Sequence, residues 1–437
     1  MPVDEKGNSP DQTAQKSTTG NGAATAVSFL SLSSFFALAY LAQGFSSQFG
    51  VIAQPLQFFM MKELGQSAGQ VSTALAVLWL PWVIKPFYGL ICDFVPLFGY
   101  RRKSYLILAN LLAVLSFGII ATANTLAVIL PALVLLATAC AISTALMVAQ
   151  AVEAGRNDGK ARDYFSGQVF FYYLANIIAA VAGGALCQML IPHMALHMAA
   201  ILAAVPVIIL SILSVFFLKE KKVTAADEIE DGAAKTWKSL KAGLKAPSLW
   251  LGAALFACFN FNLSTGVPLY FFESQSLHFS QATIGQLAGW NAVGLLLGSV
   301  LYARVLKKLS LQKQLYISII ACTASTLSYL LLVNPTIGIA IELVRGVASI
   351  SWLLTLYGLA ADVCPKRTEA SVMAIFLCAR NLASEASTFA GGQLFSGAFH
   401  NQYQPLVLLA AAFTGAAILL IPKAVDLVDV ARARLQH

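Results

Sequence analysis

The chain has 437 residues and a formal net charge of +8, and 58% of its residues are hydrophobic while only 11% are charged. Soluble domains carry about a quarter charged residues, so this composition excludes an ordinary soluble enzyme or nucleic-acid-binding domain and indicates a chain embedded in lipid. The apolar runs do not alternate with a period of two, which excludes a membrane β-barrel.

Apolar runs recur along the whole chain, and each is long enough to cross a bilayer as a helix. Helices are required because the hydrocarbon contains no water to satisfy an unpaired backbone group. We count twelve spans, numbered one to twelve in chain order, at residues 28–59, 68–92, 103–123, 126–152, 165–191, 194–218, 248–272, 282–306, 313–333, 336–361, 370–397 and 403–422.

A charged segment at the midpoint divides the spans into two sets of six. Two facing six-helix halves around a midplane cavity are typical of secondary transporters. The predicted fold class is therefore an all-α membrane protein with twelve transmembrane helices in two pseudo-symmetric six-helix bundles. The predicted domains are a disordered cytoplasmic tail at 1–27, an N-terminal bundle at 28–218, a cytoplasmic linker at 219–247, a C-terminal bundle at 248–422 and a cytoplasmic tail at 423–437.

The distribution of lysine and arginine predicts the orientation of the chain. Of 28 such residues, 24 lie in the termini and the loops on the same side as the termini, whereas the opposite loops contain only Lys62. The other three, Lys85, Arg345 and Arg380, lie within spans. Because cations close to span ends stay in the cytoplasm, both termini are predicted to be cytoplasmic.

The stretch KPFYGLICDFVPLFGYRRKSY, residues 85–105, joins spans two and three on the predicted cytoplasmic side. The carboxylate of Asp93 can pair with Arg101 or Arg102 when that side is shut, which would favour the closed state. The alternative is a helix-end carboxylate that only offsets the loop cations. Gly89 permits close helix contact and Gly99 a tight turn. We predict that Gly89, Asp93, Gly99, Arg101 and Arg102 form a cytoplasmic gate.

The segment GLICDFVPLFGYRR resembles the signature loop between helices two and three of the major facilitator superfamily. Its longer form, KPFYGLICDFVPLFGYRRKSYL, and the later stretch GLAADVCPKRTEASVMAIFLCARNL resemble the folate–biopterin transporter family. The AQGFSS motif of span one fits that family and also occurs in muropeptide and siderophore permeases. The resemblance implies the major facilitator fold and a folate- or pterin-like substrate.

One departure from the family pattern lies in span four. Members of the family carry two aspartates there, followed by Val-Glu. This chain retains Val152 and Glu153, but Thr144 and Val148 occupy the aspartate positions. The departure affects the residues through which the family would bind substrate and couple transport.

Three cations within the spans are candidates to bind an anion, because a charge at that depth usually faces a cavity or a partner. Lys85 could instead snorkel to the interface, Arg345 could pair with Glu342 three residues away, and Arg380 could form a structural interhelical pair. Uncharged polar groups in several spans add to the predicted cavity. The predicted substrate-binding residues are Lys85, Arg345, Arg380, Gln43, Tyr172, Asn176, Asn260 and Asn381.

A proton-coupled carrier needs a carboxyl group that titrates within reach of the cavity. Glu385, Glu342 and Glu153 are the predicted coupling residues, with Glu385 favoured, and Glu273 near the outer end of span seven is a further candidate. No nucleotide-binding glycine loop, metal-ligand spacing or Ser-His-Asp grouping is present in the sequence, so we expect no enzyme activity, no metal and no cofactor.

The sequence thus predicts a monomeric secondary transporter that works by alternating access in a bacterial inner membrane. Its expected partners are the lipid bilayer, a small organic anion and a proton as the coupling ion, with no nucleic acid. A folate- or pterin-like solute is favoured. The alternatives are a permease for a siderophore, muropeptide or nucleotide-like anion, and a membrane receptor that does not transport.

Overall fold

A computed structural model describes residues 34–100, 102–158, 161–217, 247–363 and 369–426. These residues are almost entirely helical, and within them the only β-type pairing is an isolated bridge between Leu97 and Tyr100. Residues 219–246 of the predicted linker at 219–247, the whole tail at 1–27 and most of the tail at 423–437 lie outside the described residues. The expected disorder of the first tail and the expected cytoplasmic location of all three segments therefore stay predictions.

The helices of the first half follow the predicted spans closely. Two of them contain an internal proline, Pro131 or Pro206, and continue as helices beyond it. The α-helices lie at residues 34–46, Ala53–Phe58, Ala68–Ala76, Leu80–Val83, Lys85–Phe94, Lys103–Ile120, Leu126–Asp158, Ala161–Met189 and Pro192–Phe217.

The helices of the second half repeat this arrangement. They lie at Pro247–Asn260, Val267–Phe271, Gln281–Arg304, Leu311–Leu327, Pro335–Val363, Glu369–Gln393 and Gln404–Ala416. Eight of the described helices are long and apolar enough to cross a bilayer unbroken. Spans one, two and seven differ because turns divide them, and span eleven differs because it is rich in polar residues.

An internal repeat relates the first span of each half. In span one a short helix runs into the π-helical turn Phe59–Glu63, and in span seven a short helix runs into the π-helical turn Phe272–Ser276. The next helix begins in both halves after a serine N-cap, Ser67 or Ser280, whose hydroxyl accepts a hydrogen bond from the backbone amide three residues later. The two halves therefore share local structure as well as span number.

The halves meet along two pairs of helices: span five packs along span eight, and span two packs along span eleven. Glycine permits the first contact, since a Cβ atom on Gly184 would lie 2.8 Å from the Cα of Gly285. The second contact is equally close, because a Cβ on Gly392 would lie 2.5 Å from the Cβ of Ser72. Both contacts lie towards the end of the bundle that contains the turns at 59–67, 272–280 and 394–403, which the cation count predicts to be extracellular.

Hydrogen bonds join the halves at this predicted outer end. The Gln54 side-chain amide donates to the backbone oxygen of Gln281 at 2.8 Å and to its side-chain oxygen at 3.0 Å. The Gln393 amide donates to Gly69 O at 3.0 Å and to Thr73 Oγ1 at 2.9 Å. The predicted outer side is therefore closed in this structure.

Candidate substrate-binding cavity

A cavity of about 590 Å³ lies between the two halves, behind this closed end. Its size falls within the range of roughly 300–1,000 Å³ that is usual for small-molecule sites. Its polar wall includes residues of spans one, five, seven, eight, ten and eleven: Gln54, Gln57, Tyr172, Tyr173, Asn176, Asn260, Asn262, Asn291, Glu342, Arg345, Arg380 and Ser384.

Two tyrosines form the aromatic wall on the side of the first half. The rings of Tyr172 and Tyr173 meet edge to face, with centroids 5.6 Å apart and an interplanar angle of 75°. The Asn176 side chain, one helical turn further along span five, donates its amide to Tyr172 O at 2.7 Å. Aromatic rings beside an amide provide a surface that can contact a flat, polar heterocycle.

Arg380 faces this aromatic wall from span eleven, within electrostatic range of both tyrosine hydroxyls. Its Nε donates to Asn260 Oδ1 at 3.3 Å. The Asn260 amide in turn donates to Phe256 O at 2.8 Å, and this bond orients its oxygen towards the guanidinium. Among the described residues no carboxylate forms an ion pair with Arg380, so the guanidinium retains donors for an anion.

Arg345, by contrast, is paired. Its Nε and Nη2 lie 3.1 and 3.0 Å from Oε2 of Glu342, one turn earlier in span ten. The other oxygen of Glu342 accepts a hydrogen bond from the Tyr329 hydroxyl. The Arg345 guanidinium also lies 5.8 Å from the centroid of the Tyr329 ring. Glu342 therefore neutralises the charge of Arg345, and each of its two carboxyl oxygens accepts a hydrogen bond.

The structure places six of the predicted binding and coupling residues around one cavity and leaves others away from it. The six are Tyr172, Asn176, Asn260, Glu342, Arg345 and Arg380. Lys85, Gln43, Asn381 and Glu385 do not line the cavity. Their predicted roles stay predictions.

Lys85 and Glu385 occupy different surroundings near the contact of spans two and eleven. The Lys85 ammonium lies 5.3 Å from the centroid of the Trp82 ring. Both carboxyl oxygens of Glu385 are buried, and no hydrogen-bond partner reaches them from the described part of the chain. A buried carboxyl without a partner is costly when ionised, which is compatible with a proton carried at this position.

Only part of the predicted gate is described. Gly99 has φ = +80°, and the backbone amides and oxygens of Leu97 and Tyr100 bond to each other at 2.9 and 3.0 Å, so the predicted tight turn is present. Arg102 is half-buried at the start of span three. Arg101 lies outside the described residues, and so do the side chains of Asp93 and Glu153 and the surroundings of Gly89.

Sequence reasoning missed several polar residues around the cavity. Tyr329 bonds to Glu342, Asn291 donates to Glu342 O at 3.2 Å, and Gln281 joins the halves. A signal was available for Gln281 alone, because it follows the Ser280 cap at the start of a span, where a polar side chain must be either at the interface or paired. Nothing in the sequence singles out Tyr329 from the other tyrosines.

Comparison with known proteins identifies the family. The model of the BT1 family matches residues 43–432. The chain is 27% identical over 393 residues to the folate-biopterin transporter of Synechocystis sp., which covers 85% of this chain and 77% of that protein. It is 28% identical over 330 residues to folate transporter 2 of Plasmodium falciparum, which covers 72% of this chain and 70% of that protein.

Solved structures of other transporters share the fold. A D-xylose–proton symporter superimposes with a TM-score of 0.73 at 14% identity, covering 90% of this chain and 97% of that one. The nucleoside transporter NupG gives 0.69 at 13% identity, covering 91% and 98%. This likeness confirms the predicted major facilitator fold. The family and its named relatives are transporters and not enzymes. Because the BT1 model matches most of the chain, this protein belongs to the BT1 family of integral membrane transporters.

Proposed function

We propose that this transporter is a secondary carrier of an organic anion that works by alternating access, with folate- or pterin-like solutes as its substrates. The observation that carries the proposal is Arg380, a cavity-lining cation held by Asn260 and opposite two tyrosines, with no carboxylate partner among the described residues. Its fork of N–H groups suits a carboxylate, which it can bind through two hydrogen bonds.

The remaining chemistry of the cavity fits such a molecule. A folate has a flat heterocycle at one end and carboxylates at the other. The rings of Tyr172 and Tyr173 can contact the heterocycle while Arg380 binds a carboxylate, and Asn176 and Asn260 offer amide groups to ring nitrogens. The curated relatives named as folate and folate-biopterin transporters support this choice of substrate.

The direction and coupling of transport are part of the proposal. The carrier is oriented with both termini in the cytoplasm of a bacterial inner membrane, acts as a monomer, and moves its anion in symport with a proton. Glu385, Glu342 and Glu153 are the candidate coupling groups predicted from the sequence. Gly89, Asp93, Gly99, Arg101 and Arg102 form the cytoplasmic gate, which alternates with the closed outer end described above.

Binding of the substrate class can be tested on the purified protein. We expect folate and biopterin each to raise the thermal unfolding temperature, because a ligand present at about 100 times its Kd stabilises the bound state by about 2.7 kcal/mol. A ferric siderophore and a muropeptide should not shift the transition. Labelled folate should also enter cells that express the protein in a saturable way.

A stabilising shift with the siderophore or the muropeptide, and none with folate or biopterin, would contradict the proposed substrate class. The family membership and the fold would be unaffected, since they rest on the whole chain.

A further inference from the structure

Glu273 is a buried acidic residue at a position where the fold itself does not need a charge. It lies in the π-helical turn Phe272–Ser276, lines the cavity and is only 4% exposed. In the internal repeat the equivalent residue of the first half is Met60, the second residue of the turn Phe59–Glu63, which is fully buried. The second half thus places a carboxyl group where the first half packs a thioether.

The groups around Glu273 do not compensate its charge. Glu342 and Arg345 of span ten lie within electrostatic range, as do Tyr403, which precedes span twelve, and Tyr270 on the same short helix. Tyr270 donates its hydroxyl to Gln281 Oε1 at 3.0 Å, and Tyr403 donates to Ser264 O at 2.7 Å. Within the described residues, no hydrogen-bond donor reaches the Glu273 carboxyl.

Arg345 is the only described cation near Glu273, and it is already bonded to Glu342 through two nitrogens. An ionised Glu273 would therefore place a second negative charge beside a neutral pair in a buried wall, which low dielectric makes costly. The protonated carboxyl has no such cost. These surroundings make ionisation of Glu273 more costly than ionisation of an exposed carboxyl group.

We propose that Glu273 is the proton-binding group of the cavity and that its protonation is required for an organic anion to bind tightly at Arg380. The inference rests on the proposed anion transport and deepens it. It assigns coupling to a residue that faces the substrate, whereas Glu385 lies away from the cavity wall.

The charges give the sign of the coupling. The described ionic groups that line the cavity are Arg345, Arg380, Glu342 and Glu273. With Glu273 ionised their sum is zero, and with Glu273 protonated it is +1, so an anion binds the protonated form better. By linkage, bound anion equally strengthens proton binding. Affinity therefore rises as pH falls, and one proton taken up from the outer solution accompanies each anion and is released with it inside.

The first test needs no substrate. Infrared spectra of the purified full-length protein at neutral pH should show the carbonyl band of a protonated carboxyl group. Part of that band should be absent from Glu273→Gln and retained in Glu63→Gln. Glu63 is the matched control, because it lies in the equivalent turn of the first half, is exposed, and pairs with His193 at 3.1 Å. An unchanged band in Glu273→Gln would overturn the inference.

The second test uses folate as the probe in proteoliposomes. For the parent protein we expect the affinity for folate to fall about tenfold or more between pH 5.5 and pH 8. Glu273→Gln should bind with little pH dependence, lose proton-driven accumulation and keep folate exchange, while Glu63→Gln behaves as the parent. Proton-driven accumulation by Glu273→Gln would overturn the inference. If the infrared band is lost but the parent does not bind folate, the proton site stands and the proposed substrate fails.

Discussion

Replacing Arg380 with glutamine is expected to reduce folate uptake to background while the protein still folds and reaches the membrane. Glutamine keeps a donor for Asn260 Oδ1 but removes the only cavity-lining cation that the described residues leave without a carboxylate partner. A hydrogen bond to a charged group contributes about 1.5–3 kcal/mol. Loss of a bidentate contact between the guanidinium and a substrate carboxylate, worth about 3 kcal/mol, therefore weakens binding roughly a hundredfold. Saturable uptake of labelled folate and calorimetric Kd values measure this loss.

Two further variants make the experiment specific. Arg304→Gln removes an exposed arginine from the last turn of span eight and should leave uptake unchanged. Arg380→Lys keeps the charge but not the planar fork, and its affinity should lie between those of the parent and Arg380→Gln. Uptake by Arg380→Gln with the Kd of the parent would contradict the assignment of Arg380 to anion binding.

The number and position of the helices could be predicted because lipid imposes a simple rule on the sequence. A spanning segment must be apolar for about twenty residues, and its backbone can only be satisfied as a helix. The long helices, such as Leu126–Asp158 and Pro335–Val363, accordingly begin within one residue of the predicted spans. The breaks at 47–52 and 261–266 were not predicted, because hydropathy does not distinguish a straight span from a divided one.

The cavity was only partly predictable because helical periodicity groups residues into faces without saying where each face points. In span eleven it separates Arg380 and Ser384 from Asn381 and Glu385. The structure turns the first face towards the cavity and the second away from it. That choice is made by packing against spans two and seven, where glycines such as Gly391 and Gly392 allow close approach.

The repeat that relates spans one and seven was missed for a similar reason. The turns Phe59–Glu63 and Phe272–Ser276 share their first residue and their π-helical geometry, but their charged residues differ. Glu273 corresponds to Met60, so a comparison by charge would not align the two. Local backbone structure reveals the equivalence of the two turns. It also shows that Glu273 is the position at which the second half has a carboxyl group in place of an apolar packing residue.

Replacing Gly285 with alanine is expected to impair transport through closure of the outer end and not through the cavity. A Cβ at this position would lie 2.5 Å from Ala180 O and 2.8 Å from the Cα of Gly184, distances that real Cβ atoms do not show. The atoms in the way belong to backbone, so spans five and eight must separate. Overpacking of this kind costs about 1–3 kcal/mol, which shifts the population of the closed state about 5- to 150-fold.

The matched control is Gly118→Ala in span three, where a new Cβ meets nothing within 4 Å and uptake should be retained. The displaced equilibrium can be measured by introducing Ser349→Cys, at a cavity-lining position, into the parent and into Gly285→Ala, and labelling both from outside with a membrane-impermeant thiol reagent. Labelling of the parent chain without this cysteine gives the background. Gly285→Ala should increase that labelling and reduce uptake about tenfold or more, while folate binding in detergent persists. Folate binding in detergent shows that the variant is folded. A Gly285→Ala protein that transports like the parent, with no added labelling, would contradict closure at this glycine contact.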